Sequence, residues 1–186
     1  MEFRFKIHLK EEDFYAFNCF HALESAQGKK QILKSRLLFV VIAVAMSALV
    51  LAMGMGTASV VYLVFMSVFT IIFMVQFKNN VRKNIRKQIE NMKKSGKLPY
   101  DTVSDYVFSE ERFVEISESR RLEQGYDTIE RLCIDGESYL ILYYSAVTAC
   151  ILPLEQLRMQ VDKDAFLHFL QSKNIPVEQY PEKKKG

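Results

Sequence analysis

Few side chains in this sequence stand at spacings that could support catalysis or bind a metal. Cys19 and His21 offer two possible ligands, whereas a zinc site needs three or four. Cys150 lies on an apolar run with no histidine near it in the sequence, so its thiol lacks a base to activate it. Ser138 and Ser145 are not in the G-x-S-x-G setting of a serine hydrolase. We therefore predict that the chain is not an enzyme and has no catalytic residue, metal or cofactor.

The glycines, paired acids and cysteines fit structural roles. The sequence contains neither a P-loop nor a G-x-G-x-x-G motif, and Gly54 and Gly56 lie within an uncharged stretch. Glu110-Glu111 and Asp135-Gly136 are typical of hairpin tips, where carboxylates are solvated. The three cysteines are far apart and form no C-x-x-C pair, which indicates a reducing compartment rather than a disulfide framework.

Basic side chains are the main concentration of charged chemistry. The 186 residues have a net charge of only +3, yet residues 78–97 carry eight basic residues and one acidic residue, and residues 98–182 carry seven basic and sixteen acidic ones. The apolar stripe Val81, Ile85, Ile89 and Met92 predicts a juxtamembrane helix. This helix either continues from the apolar segment that precedes it in the chain or bends along a membrane surface. The candidate contacts for anionic lipids on this helix are Lys78, Arg82, Lys83, Arg86 and Lys87. Setting membrane orientation is an equally open role for these cations, and the lack of interleaved aromatic residues argues against a nucleic-acid partner.

A long apolar run precedes this basic helix. The 41 residues from Leu37 to Phe77 contain no Asp, Glu, Lys, Arg or His. Because about 20 apolar residues span a bilayer, the run fits two helices better than one. The glycines in the stretch 54–59 predict a turn between a first helix at about 37–53 and a second at about 60–77. This part of the chain is thus predicted to be a transmembrane α-helical hairpin in a lipid bilayer.

Basic flanks and small residues predict the orientation and packing of this hairpin. Cations precede the first helix and follow the second, so the positive-inside rule places both termini in the cytoplasm and the uncharged turn outside. Ala48, Ala52 and Gly56 are spaced by four and are candidates for close helix packing. We favour packing against the protein's own second helix, and the alternative is a homo-oligomer or a partner contact.

The remaining segments alternate in a way that indicates an α+β domain. Residues 3–9 alternate apolar and basic side chains, which predicts a half-buried strand, and Glu11-Glu12-Asp13 marks a helix start. One strand and one helix need a partner surface, so we expect this segment to dock on the C-terminal part. From Pro99 onward the pattern predicts about six short antiparallel strands and a final helix capped by Asp162 or Asp164. A small curved sheet or open barrel with a C-terminal helix follows from this order.

Several stretches resemble a known family of bacterial membrane proteins. They are Tyr106–Phe113, Tyr126–Leu132, Tyr139–Tyr143, Ala149–Pro153 and Phe166–Leu170. With the strand–helix start and the two apolar segments, this layout resembles the YcxB-like family. The resemblance implies a bacterial cell membrane and a β-rich domain similar to the pleckstrin-homology (PH) fold, which is a binding module rather than an enzyme. In the family pattern a basic residue often follows the proline, whereas Leu154 and Glu155 follow Pro153 here.

These observations predict five segments and one main function. The segments are a cytosolic strand–helix segment at 1–36, the transmembrane hairpin at 37–77, the basic juxtamembrane helix at 78–97, the cytosolic PH-like domain at 98–180 and a basic tail at 181–186. We expect a membrane-anchored interaction or regulatory module that holds a protein partner. An anionic-lipid-binding or membrane-sensing module is the alternative.

Overall fold

The computed structural model describes residues 2–54, 56–96, 98–100, 102–118, 120–145 and 148–181. The basic tail predicted at 181–186 lies outside the described residues, except for Pro181. The chain divides into two compact units. The α+β unit contains Met1–Phe14 and Leu98–Gly186, and the helical unit contains Tyr15–Lys97.

The α+β unit contains two four-stranded sheets. In the first sheet the strands are antiparallel and lie in the order β1 (Phe3–Leu9), β2 (Thr102–Phe108), β3 (Arg112–Ile116) and β4 (Arg121–Gly125). In the second sheet the order is β7 (Ala149–Pro153), β6 (Tyr139–Tyr143), β5 (Arg131–Asp135) and β8 (Val177–Tyr180). The β5–β8 pair is parallel and the others are antiparallel. The α+β class with antiparallel sheets therefore agrees with the prediction.

Pairing of β1 with β2 joins the N-terminal strand to the part of the chain that follows the helices. Every residue from Phe3 to Leu9 has a partner in β2, with Phe3 opposite Phe108 and Leu9 opposite Thr102. The side chains of Phe3, Phe5 and Ile7 are buried while those between them are exposed, as the alternation predicts. The expected docking of the N-terminal strand on the C-terminal part is thus confirmed.

Two helices complete this unit. They are α4 (Leu154–Arg158) and α5 (Lys163–Gln171). Asp162 caps α5, because its carboxylate accepts a hydrogen bond from the backbone N–H of Ala165 at 2.9 Å. The Phe166 ring of α5 packs edge-on against Phe5 and Phe108, with centroids 5.4 and 5.0 Å away. The core of the α+β unit therefore lies between the sheets and α5.

Three helices form the rest of the chain: α1 (Glu11–Leu23), α2 (Ala26–Ala52) and α3 (Thr57–Ser95). Both α2 and α3 are long and apolar enough to cross a membrane. The turn between them contains Gly54 and Gly56 at φ of +63° and +56°, which glycine adopts at little cost. Since α3 is uninterrupted for 39 residues, or about 58 Å, the basic segment continues directly from the apolar one.

Aromatic side chains hold α2 and α3 together. The Phe39 ring stacks on Phe73 with centroids 4.1 Å apart, and Phe69 lies 6.2 Å away. Ser59 Oγ donates to the carbonyl oxygen of Val50 at 3.4 Å near the turn. The side of α2 that faces α3 thus contains Phe39 and Val50.

The small-residue stripe lies on another side of the hairpin. Ala48 and Ala52 of α2 and Gly56 of the turn are exposed, and a Cβ added to Gly56 would meet no atom within 4 Å. The favoured prediction that they pack on the second helix is therefore wrong. Large ring contacts, rather than close backbone approach, decide which face of α2 meets α3. Packing of the stripe against a second copy or a partner stays a prediction.

Candidate functional site

Exposed cations gather at the open end of the hairpin, opposite the turn. We call this group the basic collar: Lys29, Lys30 and Lys34 of α2, and Lys78, Arg82 and Lys83 of α3. The two helices are at the same level here, since the Arg36 guanidinium lies 5.5 Å from the Phe77 ring centroid. Helix α2 begins at Ala26, about three turns before the apolar run, and so contributes half of the collar.

The predicted lipid contacts all lie on the exposed side of α3. Ile85 and Ile89 are buried, and Val81 is half-buried, whereas the five cations at 78, 82, 83, 86 and 87 are exposed. The predicted stripe therefore separates apolar and basic faces at Val81, Ile85 and Ile89, whereas Met92, its fourth member, is exposed. Their surroundings differ, however, because the Arg86 guanidinium lies 5.3 Å from the Tyr15 ring centroid. The pKa of Tyr15 is raised mainly by a hydrogen bond with Cys19 and next by burial. The Tyr15 side chain beneath this cation is therefore neutral.

Distance along α3 ranks these cations by their separation from the end of the apolar run. At about 1.5 Å per residue, Lys78, Arg82 and Lys83 lie within about 9 Å of Phe77 along the helix axis. Arg86 and Lys87 lie about 14–15 Å away, beyond the Debye length of about 8 Å at physiological salt. Lys78, Arg82 and Lys83 are therefore the best-placed members of the predicted set.

A cleft that the sequence did not predict opens beside the collar. It has a volume of about 300 Å³ and is lined by polar and apolar side chains of α1, α2 and α3. The polar side chains are His21, Gln27, Gln31 and Ser35, and the larger apolar ones are Ile32, Phe77 and Val81. The spacing of Gln27, Gln31 and Ser35 by four is the signal that could have indicated a polar face on α2.

The corner between α1 and α2 fixes one end of this cleft. Ser25 Oγ donates to the carbonyl oxygen of His21 at 2.6 Å and accepts from the Gly28 N–H at 2.9 Å, so one hydroxyl joins both helices. A Cβ on Gly28 would lie 2.3 Å from the carbonyl oxygen of His21. Only glycine permits this approach of the two backbones.

Arg36 covers the Phe77 ring at the end of the cleft nearest the apolar run. Its Nη2 donates to the carbonyl oxygen of Met74 at 3.3 Å, and its guanidinium covers Phe77. Within the described part of the chain, the buried Nε of Arg36 has no hydrogen-bond partner. The cation therefore lies against the hairpin with one donor unused.

The cysteines of the α+β unit are buried thiols. Burial raises the pKa of Cys133 and that of Cys150 to about 12, so both thiols are protonated at neutral pH. Cys133 Sγ lies 3.6 Å from a carboxylate oxygen of Glu178, which also disfavours the thiolate. Within the described ranges, no three His, Cys, Asp or Glu side chains form a group that could hold a metal ion.

Comparisons with known proteins leave the family open. No protein-family model, no curated protein and no solved structure matches this chain. The resemblance to the YcxB-like family therefore stays a prediction.

Proposed function

We propose that this chain is an integral membrane protein whose hairpin crosses the bilayer twice. Apolar side chains on both helices support this proposal, because Leu37, Val44, Phe65 and Val75 are each more than 60% exposed. In water such surfaces cost about 25 cal/mol per Å², whereas lipid tails cover them without cost. The hairpin is the membrane anchor of the protein.

The β1–β2 pair is the single observation that carries the two-span arrangement. Both apolar helices lie between Leu9 and Thr102 in the chain, yet these two residues are partners in one sheet. A single crossing between them would place β1 and β2 on opposite sides of the bilayer. An even number of crossings keeps the strands together, and two helices supply it.

The proposal also includes the orientation of the hairpin, the membrane that it crosses and the fold of the α+β unit. The basic collar favours the cytoplasmic side for the open end of the hairpin, so both termini are cytoplasmic and the turn faces outward. The bacterial cell membrane follows from the YcxB-like resemblance. Sheets of β1–β4 and β5–β7 followed by α5 resemble the strand order of a PH-like module.

The α+β unit acts as an interaction or regulatory module in this proposal. Its chain enters and leaves the membrane anchor between β1 and β2, so the unit is attached at two points. Two attachments restrict its motion and raise its effective concentration for a protein partner at the membrane surface. The unit thus holds a protein partner close to the bilayer.

Labelling of single introduced cysteines tests the topology. In a Cys19→Ala background, Thr57→Cys at the start of α3, next to the turn, should react with a membrane-impermeant maleimide on intact cells. Glu137→Cys in the α+β unit should react only after the membrane is opened. Equal reaction of both positions on intact cells, or release of the protein by alkaline carbonate, contradicts the two-span arrangement.

Co-purification from lipid nanodiscs tests the interaction module. A protein in stoichiometric amount should accompany the natural chain, and Phe108→Asp, which places a charge at a fully buried core position, should remove it. Val103→Asp is the matched control, because Val103 is 50% exposed on the same strand. Retention of the same partner by the Phe108→Asp protein would contradict the proposed role of this unit.

The basic collar favours a second candidate function, which is recognition of anionic lipid. Each cation close to a charged surface contributes roughly 1 kcal/mol, so Lys78→Gln with Lys83→Gln should reduce enrichment of anionic lipid several-fold at low salt. Lys93→Gln with Lys94→Gln is the matched control, because these residues lie about 24 Å beyond Phe77 along α3. Equal loss in both variants, or enrichment that ignores added salt, contradicts this candidate.

A further inference from the structure

We propose that the cleft between α1, α2 and α3 binds the headgroup of one anionic phospholipid from the surrounding bilayer. This inference rests on the anchor and the lipid candidate above and assigns a specific site to them. The collar attracts anionic lipid in general, whereas the cleft would hold one molecule. The two differ in stoichiometry and in the residues on which they depend.

The end of the cleft nearest the apolar run matches the depth of the headgroup layer, while its other end at Gln27 lies about 15 Å before that run. Phe77 is the last residue of the apolar run, and Val81 lies one turn beyond it, about 6 Å along α3. On α2, Ser35 lies about 3 Å before the apolar run begins. A headgroup region extends roughly 5–8 Å on each side of the hydrocarbon core. Ser35, Phe77 and Val81 therefore lie at the depth of phosphate groups when the hairpin spans the membrane.

The polarity of the cleft wall fits an amphipathic ligand. Gln27, Gln31 and Ser35 supply amide and hydroxyl donors, and the imidazole of His21 supplies another polar edge. Ile32 and Phe77 supply apolar contacts. Donors on α2 next to the apolar groups of Ile32 and Phe77 suit the junction between a phosphate and its acyl chains.

Charge complementarity specifies an anion. The N-terminus of α2 lies at the cleft, with Gln27 and Gly28 in its first turn, and the first turn contains no acidic residue. The positive end of the α2 dipole favours a negative group there, but the negative end of α1 at His21 and Ala22 lines the same cleft and opposes it, so the lysines decide the sign of the charge. Lys30, Lys34 and Lys78 of the exposed collar add positive charge on both helices that line the cleft. A zwitterionic headgroup gains less of this attraction, because its own ammonium group is repelled by the same lysines.

The volume limits what the cleft can hold. Its volume of about 300 Å³ lies at the lower end of the range for small-molecule sites. It therefore accommodates a compact headgroup and not the acyl chains. Those chains can follow the apolar run of residues 37–77, which begins two residues after Ser35 and ends at Phe77. The ligand is thus a lipid that remains in the bilayer with its headgroup in the cleft.

Native mass spectrometry of the full chain tests this site. The protein is released from nanodiscs of phosphatidylcholine and phosphatidylglycerol at a ratio of 3:1, and retained lipids are counted. We expect one phosphatidylglycerol per chain, despite its minority in the bilayer. Gln31→Leu with Ser35→Val removes two donors from the cleft and leaves the charge unchanged, and it should reduce this retained lipid at least five-fold.

The matched control changes polarity outside the cleft. Gln76→Leu with Gln88→Leu alters two exposed positions of α3 without touching the cleft wall and should retain the lipid. Equal retention by the cleft variant and the natural chain would overturn the proposal. Equal retention of both lipids would overturn the anionic preference, and displacement of the lipid by millimolar inorganic phosphate would identify a site for soluble phosphate compounds instead.

The topology and charge experiments separate this inference from the proposed function. A chain that labels as a two-span protein and loses anionic enrichment in the Lys78→Gln, Lys83→Gln protein, yet retains no lipid on release, contradicts the cleft site alone. A chain that fails the topology test contradicts both. Lipid retention that depends on Lys78 and Lys83 but not on Gln31 and Ser35 assigns the lipid to the collar and overturns the cleft site.

Discussion

Lys173, just after α5, connects three parts of the α+β unit through one ammonium group. Its Nζ donates to the carbonyl oxygen of Glu110 at 2.7 Å and to the carboxylate of the same residue at 2.8 Å. It also lies 4.6 Å from the ring centroid of Phe169 and 5.4 Å from that of Tyr126. The cation therefore joins the end of α5 to the β2–β3 hairpin tip, where the sequence predicted only solvated acids.

Replacing Lys173 should change the titration of Glu110. The hydrogen bond from Lys173 is the largest of several causes that together lower the pKa of Glu110 to about 2, and the charge of Lys173 is another. Lys173→Met should therefore raise that pKa toward its ordinary value, as measured by NMR titration of the carboxyl carbon. A depressed pKa contributes stability above the unfolded-state pKa, and this contribution is lost as the pH falls toward 2. The variant should lose less stability than the natural chain between pH 5 and pH 2.

A second lysine supplies the control for this titration. Lys163 contacts the carboxylate of Glu137 at 3.1 Å on another part of the unit. Lys163→Met removes the same charge and should leave the pKa of Glu110 unchanged. An unchanged pKa of Glu110 in the Lys173→Met protein would show that another group holds that carboxyl ionised.

Tyr144 and Tyr126 form a matched pair of buried hydroxyls. In the described part of the chain, the buried hydroxyl of Tyr144 has no partner of normal hydrogen-bond geometry and only the weakly bonding thiol of Cys150 beside it, and its ring stacks on Phe113 at 5.7 Å. The hydroxyl of Tyr126 instead donates to the carbonyl oxygen of Ser109 at 2.7 Å. An unpartnered buried hydroxyl costs free energy, whereas a hydrogen-bonded one contributes about 1 kcal/mol.

Phenylalanine at the two positions should therefore have opposite effects. We expect Tyr144→Phe to raise the free energy of unfolding by about 0.5–1 kcal/mol, and Tyr126→Phe to lower it by about 1 kcal/mol. Thermal unfolding in detergent at constant pH measures both. Destabilisation by Tyr144→Phe equal to that by Tyr126→Phe would mean that the Tyr144 hydroxyl has a partner in solution.

At the scale of elements, two glutamines close the outer edge of β1. Gln160 accepts from the N–H of Lys6 at 2.8 Å and donates to its carbonyl oxygen at 2.7 Å. Gln156 does the same for His8, at 2.8 and 2.9 Å. The distance between residues four apart in a helical turn is close to the distance between residues two apart in a strand. Each glutamine amide can therefore form hydrogen bonds with one residue of β1, as the backbone of a neighbouring strand would. Unpaired edges invite association, and this edge is covered.

Removing these amides should open the edge. Gln156→Ala with Gln160→Ala should accelerate hydrogen exchange at the amides of Lys6 and His8 at least ten-fold and promote concentration-dependent association. Gln171→Ala, at an exposed position of α5, is the control. Unchanged exchange at Lys6 and His8 in the double variant would contradict the covering role.

The elements differ in how far their sequences predicted them. Alternation in β1 and the stripe of α3 were sufficient, because one face of each is buried and the other is exposed. Strand β8 was not predicted, because it has only four residues and follows Pro176. The cleft was not predicted either, since it requires contacts between helices distant in sequence. The face of α2 that meets α3 was misjudged because small residues suit lipid as well as close packing.

At the scale of the whole molecule, the sequence predicted the order of segments and the structure adds their connection. Hydrophobic periodicity indicated a strand, an apolar hairpin and a β-rich part in turn. Only the pairing of β1 with β2 shows that the hairpin is inserted within one α+β unit. Long-range strand pairing leaves no local pattern, so sequence periodicity could suggest docking but not its register.

Buried cysteine and tyrosine side chains of the α+β unit should make its stability fall at high pH. Burial raises the pKa of Cys133 and Cys150 to about 12 and also raises that of Tyr106, Tyr126, Tyr139, Tyr143 and Tyr144. The unfolded chain releases the same protons near pH 8.5 for cysteine and near pH 10 for tyrosine. The folded state therefore binds more protons above these values, and its stability must fall as the pH rises.

We expect the midpoint of thermal unfolding, measured by calorimetry in detergent, to be nearly constant from pH 6 to pH 8 and to fall between about pH 9 and pH 11. Cys133→Ala with Cys150→Ala removes the two groups that titrate first in the unfolded chain. This variant starts from a lower midpoint, but its decline should begin about one pH unit later, where the tyrosines titrate. An onset at the same pH in both proteins would show that the thiols are not the first groups linked to unfolding. A constant midpoint up to pH 11 would show that the tyrosine hydroxyls reach solvent in the folded state.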